Sequence, residues 1–114
     1  MPGKYNFTIY QGATFGFGIS WKTNLGEPKD LTGYSARMQI RYGNYNGEIA
    51  ADLTSENGGI EIIPEQHAIY IKMSAEQTSQ IKPMACVYDL EMVKDDKVIR
   101  LLEGKVKVSA EVTK

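Results

Sequence analysis

The chain of 114 residues contains one cysteine, one histidine and no long apolar run, and each scarcity excludes a class of protein. A single cysteine, Cys86, forms no disulfide within the chain, which fits a reducing compartment or a virus particle assembled in one. No apolar run approaches the ~20 residues of a membrane-spanning helix, and the residues after Met1 lack the apolar core of a signal peptide. We therefore expect a soluble chain with no membrane partner and no secretion signal.

The sequence also has no large excess of acidic or of basic residues. The formal net charge is −1 and acidic and basic residues are mixed along the chain. A nucleic-acid-binding protein normally carries a basic stripe, so no nucleic-acid partner is expected. Hydrophobic residues make up 42% and charged residues 24%, as in ordinary globular domains. The length and composition predict a single domain over residues 1–114.

The clearest pattern in the sequence runs from Ala85 to Val112. Every second residue from Cys86 to Met92 is apolar, which predicts a strand with one buried face. A polar turn at residues 95–97 and a return strand from Val98 complete a β-hairpin. Gly104 is expected to break the return strand at a bulge or bend, after which one more two-faced strand begins.

Six further segments read as short strands separated by polar turns. In the second of them, Phe15, Phe17 and Ile19 face one side and Gly16, Gly18 and Ser20 the other. Because glycine weakens a strand, its glycine face is expected to meet another backbone or a covering side chain. The six predicted strands are residues 5–10, 14–21, 34–42, 48–54, 60–63 and 68–73.

Only one segment looks helical. Ser74 and Gln77 have the spacing of a capping box, and Pro83 blocks continuation beyond about Lys82. A helix over residues 74–82 is too short to be stable unless it packs on the strands. Seven to nine short strands with regular turns and one short helix predict an all-β sandwich, with a small barrel as the alternative.

The residues that usually carry chemistry have simpler explanations here. His67 lies in a polar turn without the second histidine or cysteine that a metal site or a nucleophile pair needs. Cys86 falls on the apolar face of its strand, where a cysteine acts as a small hydrophobic residue. We therefore predict no enzyme activity, no catalytic residue, no cofactor and no metal.

Asp89 and Glu91 share the outward face of one strand and could form an acid/base couple. Nothing else in the sequence suggests a glycosidase-like cleft. Charge pairing across the hairpin with Lys105 and Lys107 explains the two carboxylates more simply.

Three residues are candidates for contact with a partner. Tyr45, in a loop rich in glycine and asparagine, is the one aromatic residue expected to be exposed, and exposed aromatic residues often anchor interfaces. Arg37 and Arg41 lie two apart on the outward face of one predicted strand. A plain solvated face is the alternative explanation for the two arginines.

Several blocks of the sequence together resemble a family of small proteins encoded by tailed bacteriophages and prophages, among the tail, baseplate and fibre proteins. These blocks are spread over most of the length of the chain, and they are IYQGATF with Trp21 and Lys22, DLTGYSARMQIR, SENGGI, SAEQT, YDLE and RLLEGKVKVSAEVT. The layout is also similar to the amino-terminal immunoglobulin-like β-sandwich of baseplate proteins that attach receptor-binding proteins to the tail.

The resemblance implies an immunoglobulin-like antiparallel sandwich and a non-enzymatic virion component, assembled in the host cytoplasm. Such a module would dock or connect other virion proteins of the tail, fibre or neck, in several symmetric copies. Free strand edges would serve as docking surfaces. Head decoration, an assembly chaperone, and a carbohydrate-binding or host-adhesion module are the alternatives that remain.

Overall fold

A computed structural model of the chain describes residues 3–23 and 25–112, most of them in strands. The strands found there are β1 (Gly3–Lys4), β2 (Phe7–Tyr10), β3 (Phe15–Ser20), β4 (Ser35–Tyr42), β5 (Ile49–Thr54), β6 (Ile60–Ile63), β7 (Ala68–Met73), β8 (Ala85–Lys94) and β9 (Lys97–Ser109). A 3-10 turn at Pro64–Gln66 joins β6 to β7, and the helix α1 (Ala75–Ser79) lies between β7 and β8. The strands predicted between residues 34 and 73 are confirmed.

The strands form two sheets that pack face to face. The large sheet has the order β1-β9-β8-β4-β5, with β2 also paired to β9, and the small sheet has the order β3-β7-β6. In an immunoglobulin sandwich, strands C, F and G form one sheet, to which variable-type domains add C′, and strands B, E and D belong to the other. Strands β3 to β9 match B, C, C′, D, E, F and G in chain order, so the predicted immunoglobulin-like sandwich is confirmed.

One part of the antiparallel expectation is wrong. β1 and β2 both run parallel to β9. The strand predicted over residues 5–10 begins only at Phe7, because Tyr5 and Asn6 form an interruption between β1 and β2. There the Tyr5 amide donates to the Glu103 carbonyl oxygen at 3.1 Å. The Asn6 side-chain oxygen accepts from the Lys105 amide at 2.9 Å. Between the two strands, the Asn6 side chain therefore accepts the hydrogen bond that a backbone carbonyl would accept in a continuous ladder.

The core lies between the sheets and is apolar. The alternation read from the sequence places Cys86, Tyr88, Leu90 and Met92 of β8 inside, and all of them are buried. The inward residues of β4 and β7 are buried as well, and they are Ala36, Met38, Ile40, Ile69, Ile71 and Met73. Burial on this scale is the main stabilising contribution to the fold, at ~25 cal/mol per Å² of apolar surface.

The β8–β9 hairpin differs from its prediction in the position of the bulge. β9 runs without a break from Lys97 to Ser109, and the register shift leaves Leu101 as the extra residue. Gly104 stays in the ladder opposite Tyr88. Glycine is required at position 104 for another reason, because a Cβ there would clash with the Tyr5 carbonyl oxygen. The strand also ends before the predicted limit at Val112.

The glycine face of β3 meets a covering side chain, as predicted. A Cβ at Gly18 would lie 2.9 Å from the Tyr70 ring, which rests over this position from β7. On the other face, Phe15 and Phe17 are partly buried against the core. The small size of Gly18 thus makes room for an aromatic ring on the outside of the small sheet.

The helix is shorter than predicted, but its cap is as expected. The Gln77 amide donates to the Ser74 hydroxyl at 3.1 Å, and the Ser74 amide donates to the Gln77 side chain at 2.7 Å. The fully buried Thr78 hydroxyl donates to the Ala13 carbonyl oxygen at 2.9 Å and accepts from the Gly12 amide at 3.1 Å. These bonds fasten α1 to the turn between β2 and β3. Within the described residues no helix is long and apolar enough to cross a membrane.

Candidate functional site

The outward side chains of β4, β8 and β9 form a polar surface on the large sheet, which we call the charged face. It consists of Arg37, Gln39, Arg41, Asp89, Glu91, Arg100 and Glu103. Cross-strand pairing brings these residues together because neighbouring strands lie only ~4.8 Å apart. It carries three arginines and three acidic side chains, so the face has no single sign of charge.

Ion pairs order the charged face. The Arg37 guanidinium Nε lies 2.7 Å from the Glu91 carboxylate. The Arg100 guanidinium lies 3.6 Å from Asp89 and 3.5 Å from Glu103. Each pair is partly exposed, so each contributes only ~0–1 kcal/mol to stability. They set acidic and basic side chains against each other across the three strands.

The predicted partners of the two β8 carboxylates are wrong. We expected Lys105 and Lys107, but the register places these lysines opposite Val87 and Ala85. The tight turn that pairs Lys94 with Lys97 sets the register of the hairpin, which places Arg100 opposite Glu91 and Glu103 opposite Asp89. The arginines of β4 and β9 take the place of the lysines.

Asp89 lies where acidic groups crowd together. Its direct cross-strand neighbour on β9 is Glu103, and like charges in that position repel. Burial raises the pKa of the Asp89 carboxyl. The nearby carboxylates of Glu91 and Glu103 raise it further, whereas Arg100 and Arg37 lower it. The charged form of Asp89 is therefore held at some cost in the folded protein.

Arg41, a predicted contact residue, is fixed by neutral groups. One guanidinium nitrogen donates to the Gly47 carbonyl oxygen at 2.9 Å. The other donates to the Gln39 side-chain oxygen at 2.8 Å. Arg41 thereby ties the β4–β5 loop to the charged face while its positive charge stays on the surface.

Tyr45 projects from that loop and is 80% exposed. The loop is ordered by its own hydrogen bonds: the Gly47 amide donates to the Asn44 carbonyl oxygen at 2.8 Å, and the Gly43 amide donates to the Ala85 carbonyl oxygen at 2.9 Å. The prediction that Tyr45 is exposed is confirmed. The expectation that it is the one exposed aromatic residue is wrong, because Tyr10 is 62% exposed.

The charged face and the Tyr45 loop border an open groove of about 720 Å³. Tyr45 and Arg41 line it together, whereas Arg37 does not. The groove is also lined by residues that were not predicted as contact candidates, among them Gln39, Arg100, Glu103 and Lys105. The outward position of Gln39 follows from the alternation of β4, whereas Arg100 and Glu103 both point outward only because of the extra residue at Leu101. The proximity of all these residues depends on the strand order.

Comparison with known proteins gives no information about this surface. No protein-family model matches the chain, and no curated protein matches its sequence.

The remaining chemical candidates have structural roles. Cys86 is buried, and burial raises the pKa of its thiol. His67 adopts a left-handed conformation with φ 53° after the 3-10 turn, and its Nδ1 lies 3.0 Å from the Lys29 carbonyl oxygen. No group of three potential metal ligands occurs within residues 3–23 and 25–112.

Proposed function

We propose that this chain is a non-enzymatic docking module of a tailed-bacteriophage virion, placed in the tail, baseplate or fibre-attachment region. The virion assignment is supported by the sequence blocks that resemble phage tail, baseplate and fibre proteins. The docking role is supported chiefly by one observation, the exposed Tyr45 ring held on a hydrogen-bonded loop beside the groove.

Tyr45 has the properties of an interface anchor. Its large ring offers apolar contact area, and a tyrosine loses little side-chain entropy when it is buried by a partner. Because the loop is already ordered, the partner does not have to fix its conformation on binding. Arg41 beside it offers a charge whose direction is set in advance by Gln39 and Gly47.

The charged face would give such an interface its specificity. Arg37–Glu91 and Arg100 with its two carboxylates present fixed charges of both signs. A partner with the opposite pattern would bind in a defined orientation, and a mismatched partner would bury unpaired charges at a large cost. The partner expected here is another virion protein with a surface of mixed charge, present in several symmetric copies.

The experiment has two parts. The first is mass spectrometry of purified particles of the phage that encodes the chain, with copy number, and a fixed stoichiometry is expected. The second compares particles from phages carrying Tyr45→Ala with those carrying Tyr10→Ala, since both residues are exposed and they lie at opposite sides of the large sheet. Loss of incorporation for Tyr45→Ala alone is expected. Absence of the wild-type chain from particles would refute the virion assignment, and equal incorporation of both variants would refute the role of Tyr45.

A second candidate function, carbohydrate binding, is favoured by the same groove. An exposed aromatic ring next to amide, guanidinium and carboxylate groups can stack on a sugar ring and bind its hydroxyls. A glycan array with the isolated protein separates the two functions. Saturable binding that Tyr45→Ala abolishes would support the carbohydrate-binding or host-adhesion function.

A further inference from the structure

The two sheets have four outer edges, and three of them carry features that hinder pairing with another strand. On the β5 edge, the register against β4 shifts at Ala50, and Asp52 follows it. The β6 edge is a strand of only four residues followed by Pro64. The edge formed by β1 and β2 is interrupted between them and carries Lys4.

The fourth edge, β3, has none of these features. β3 pairs with β7 over six consecutive residue pairs without a register shift. Its sequence, FGFGIS, has no charge and no proline. In immunoglobulin sandwiches an A strand commonly lies beside strand B. Here β1 and β2 pair with β9, so among the described strands the position beside β3 is unfilled.

The backbone groups that face this open side can be assigned from one hydrogen bond. The Lys72 amide of β7 donates to the Gly59 carbonyl oxygen on the β6 side, at 2.9 Å. Since successive residues of a strand point their backbone groups to alternate sides, Ile71 points toward β3 and bonds to Phe17, its cross-strand partner. The residues of β3 on either side of Phe17 must then point outward. The amide and carbonyl groups of Gly16, Gly18 and Ser20 therefore face the open side.

Partly exposed aromatic side chains lie along the same side of the sandwich. The ring of Tyr5, which is 44% exposed, lies 5.2 Å from that of Phe17. The ring of Phe7 lies 5.1 Å from that of Phe15. An additional strand beside β3 would cover these rings. The unpaired backbone groups and the apolar surface thus both favour an uncharged strand with alternating apolar residues on the open side of β3.

We propose that this occupant is β3 of a second copy of the chain, paired antiparallel about a two-fold axis at Gly18. Gly18 would lie opposite its own copy and Gly16 opposite Ser20, so about six hydrogen bonds would form. Phe17 and Ile19 would become cross-strand neighbours on the inner face. The net charge of −1 per chain opposes this association only weakly. The small sheets of the two copies join into one continuous sheet through an isologous interface.

The test compares wild type with Ser20→Pro and Ser20→Ala in sedimentation velocity runs from low to high micromolar concentration. Ser20 is exposed and its amide faces outward, so proline removes a bond of the dimer without removing one to β7. Wild type and Ser20→Ala are expected to dimerise alike. In Ser20→Pro the midpoint concentration is expected to rise at least ~10-fold. Thermal melts of all three verify that each is folded.

Amide hydrogen exchange of the wild type, measured by NMR, decides the matter even if Ser20→Pro does not fold. The amides of Gly16, Gly18 and Ser20 are expected to be protected at high concentration and to lose protection on dilution. A wild type that stays monomeric at all concentrations would overturn the proposal, as would a dimer in which these amides exchange freely. Neither result would affect the docking role of Tyr45, because that role concerns the other sheet.

Discussion

Replacing Tyr88 with phenylalanine tests how the first strand is attached to the sandwich. The buried Tyr88 hydroxyl donates to the Tyr5 carbonyl oxygen at 2.6 Å, in the interruption between β1 and β2. Tyr88→Phe removes this bond and leaves the carbonyl without that donor. An unpaired buried acceptor costs ~1–3 kcal/mol. Since Tyr5 as a residue is 44% exposed, we take the lower end of this range and expect a loss of about 1 kcal/mol.

A loss of that size lowers the melting temperature of a domain this long by about 3–6 °C. Thermal melts and urea unfolding with an unchanged m-value measure it directly. Tyr10→Phe is the control, since it deletes a hydroxyl from a side chain that is 62% exposed. If Tyr88→Phe and Tyr10→Phe melt at the same temperature, the hydroxyl does not hold the first strand.

The burial of the same hydroxyl makes the stability of the protein depend on alkaline pH. Burial, with a smaller effect of Tyr5, raises the pKa of Tyr88 from 10.0 to about 12. A folded-state pKa above the unfolded value means that this stabilisation is fully present below pH 10 and is lost as the pH rises through 12. The stability difference between wild type and Tyr88→Phe should therefore shrink over that range. A constant difference would contradict the raised pKa.

Further predictions concern the core and the charged face. Met38→Asp is expected to abolish cooperative unfolding, because it places an unpaired charge among buried side chains of β4. Asp89→Asn is expected to raise stability at pH 7, since the folded-state pKa of Asp89 is raised and its charge is unfavourable; the gain should vanish below the usual value of 3.8, where wild type is also neutral. A double-mutant cycle with Arg37→Gln and Glu91→Gln should give a coupling of ~0.2–1 kcal/mol that falls with added salt.

Each of these predictions can fail clearly. A cooperative thermal melt of Met38→Asp, followed by circular dichroism, would show that Met38 is not a core residue. If Asp89→Asn were less stable than wild type at pH 7, the attraction of Arg100 for the Asp89 carboxylate would outweigh the effects of burial and of the neighbouring acids. A coupling between Arg37 and Glu91 that persists in molar salt would show that the pair is shielded from water.

The strands could be predicted from the sequence because most of them carry an unbroken alternation. Residues 60–63 and 68–73 were predicted with the same ends that the structure has. The prediction fails where the chain leaves the ladder without a change in the sequence pattern. Tyr5 and Asn6 continue the aromatic and polar pattern of their neighbours, yet the chain leaves the ladder there and the Asn6 side chain replaces a backbone acceptor. Such a substitution depends on what lies beside the chain in space.

The candidate site was predictable only in part, for a related reason. The exposure of Tyr45 follows from the glycine and asparagine residues around it, which is a local property. Its position beside the charged face depends on the order of three strands that are distant in sequence. The place of Glu103 on this face depends further on the shifted register of β9.

The alternation in β9 shows how far sequence reasoning could have gone. Ile99 faces inward before the bulge, and Val106 and Val108 face inward after it, so the apolar phase changes from odd to even positions. One extra residue is therefore required between Ile99 and Val106. Two adjacent apolar residues at Leu101–Leu102 mark a place where the phase can change without burying a polar group. Gly104 looked like the better site because glycine favours bulges, but its small size was already required by the Tyr5 carbonyl beside it.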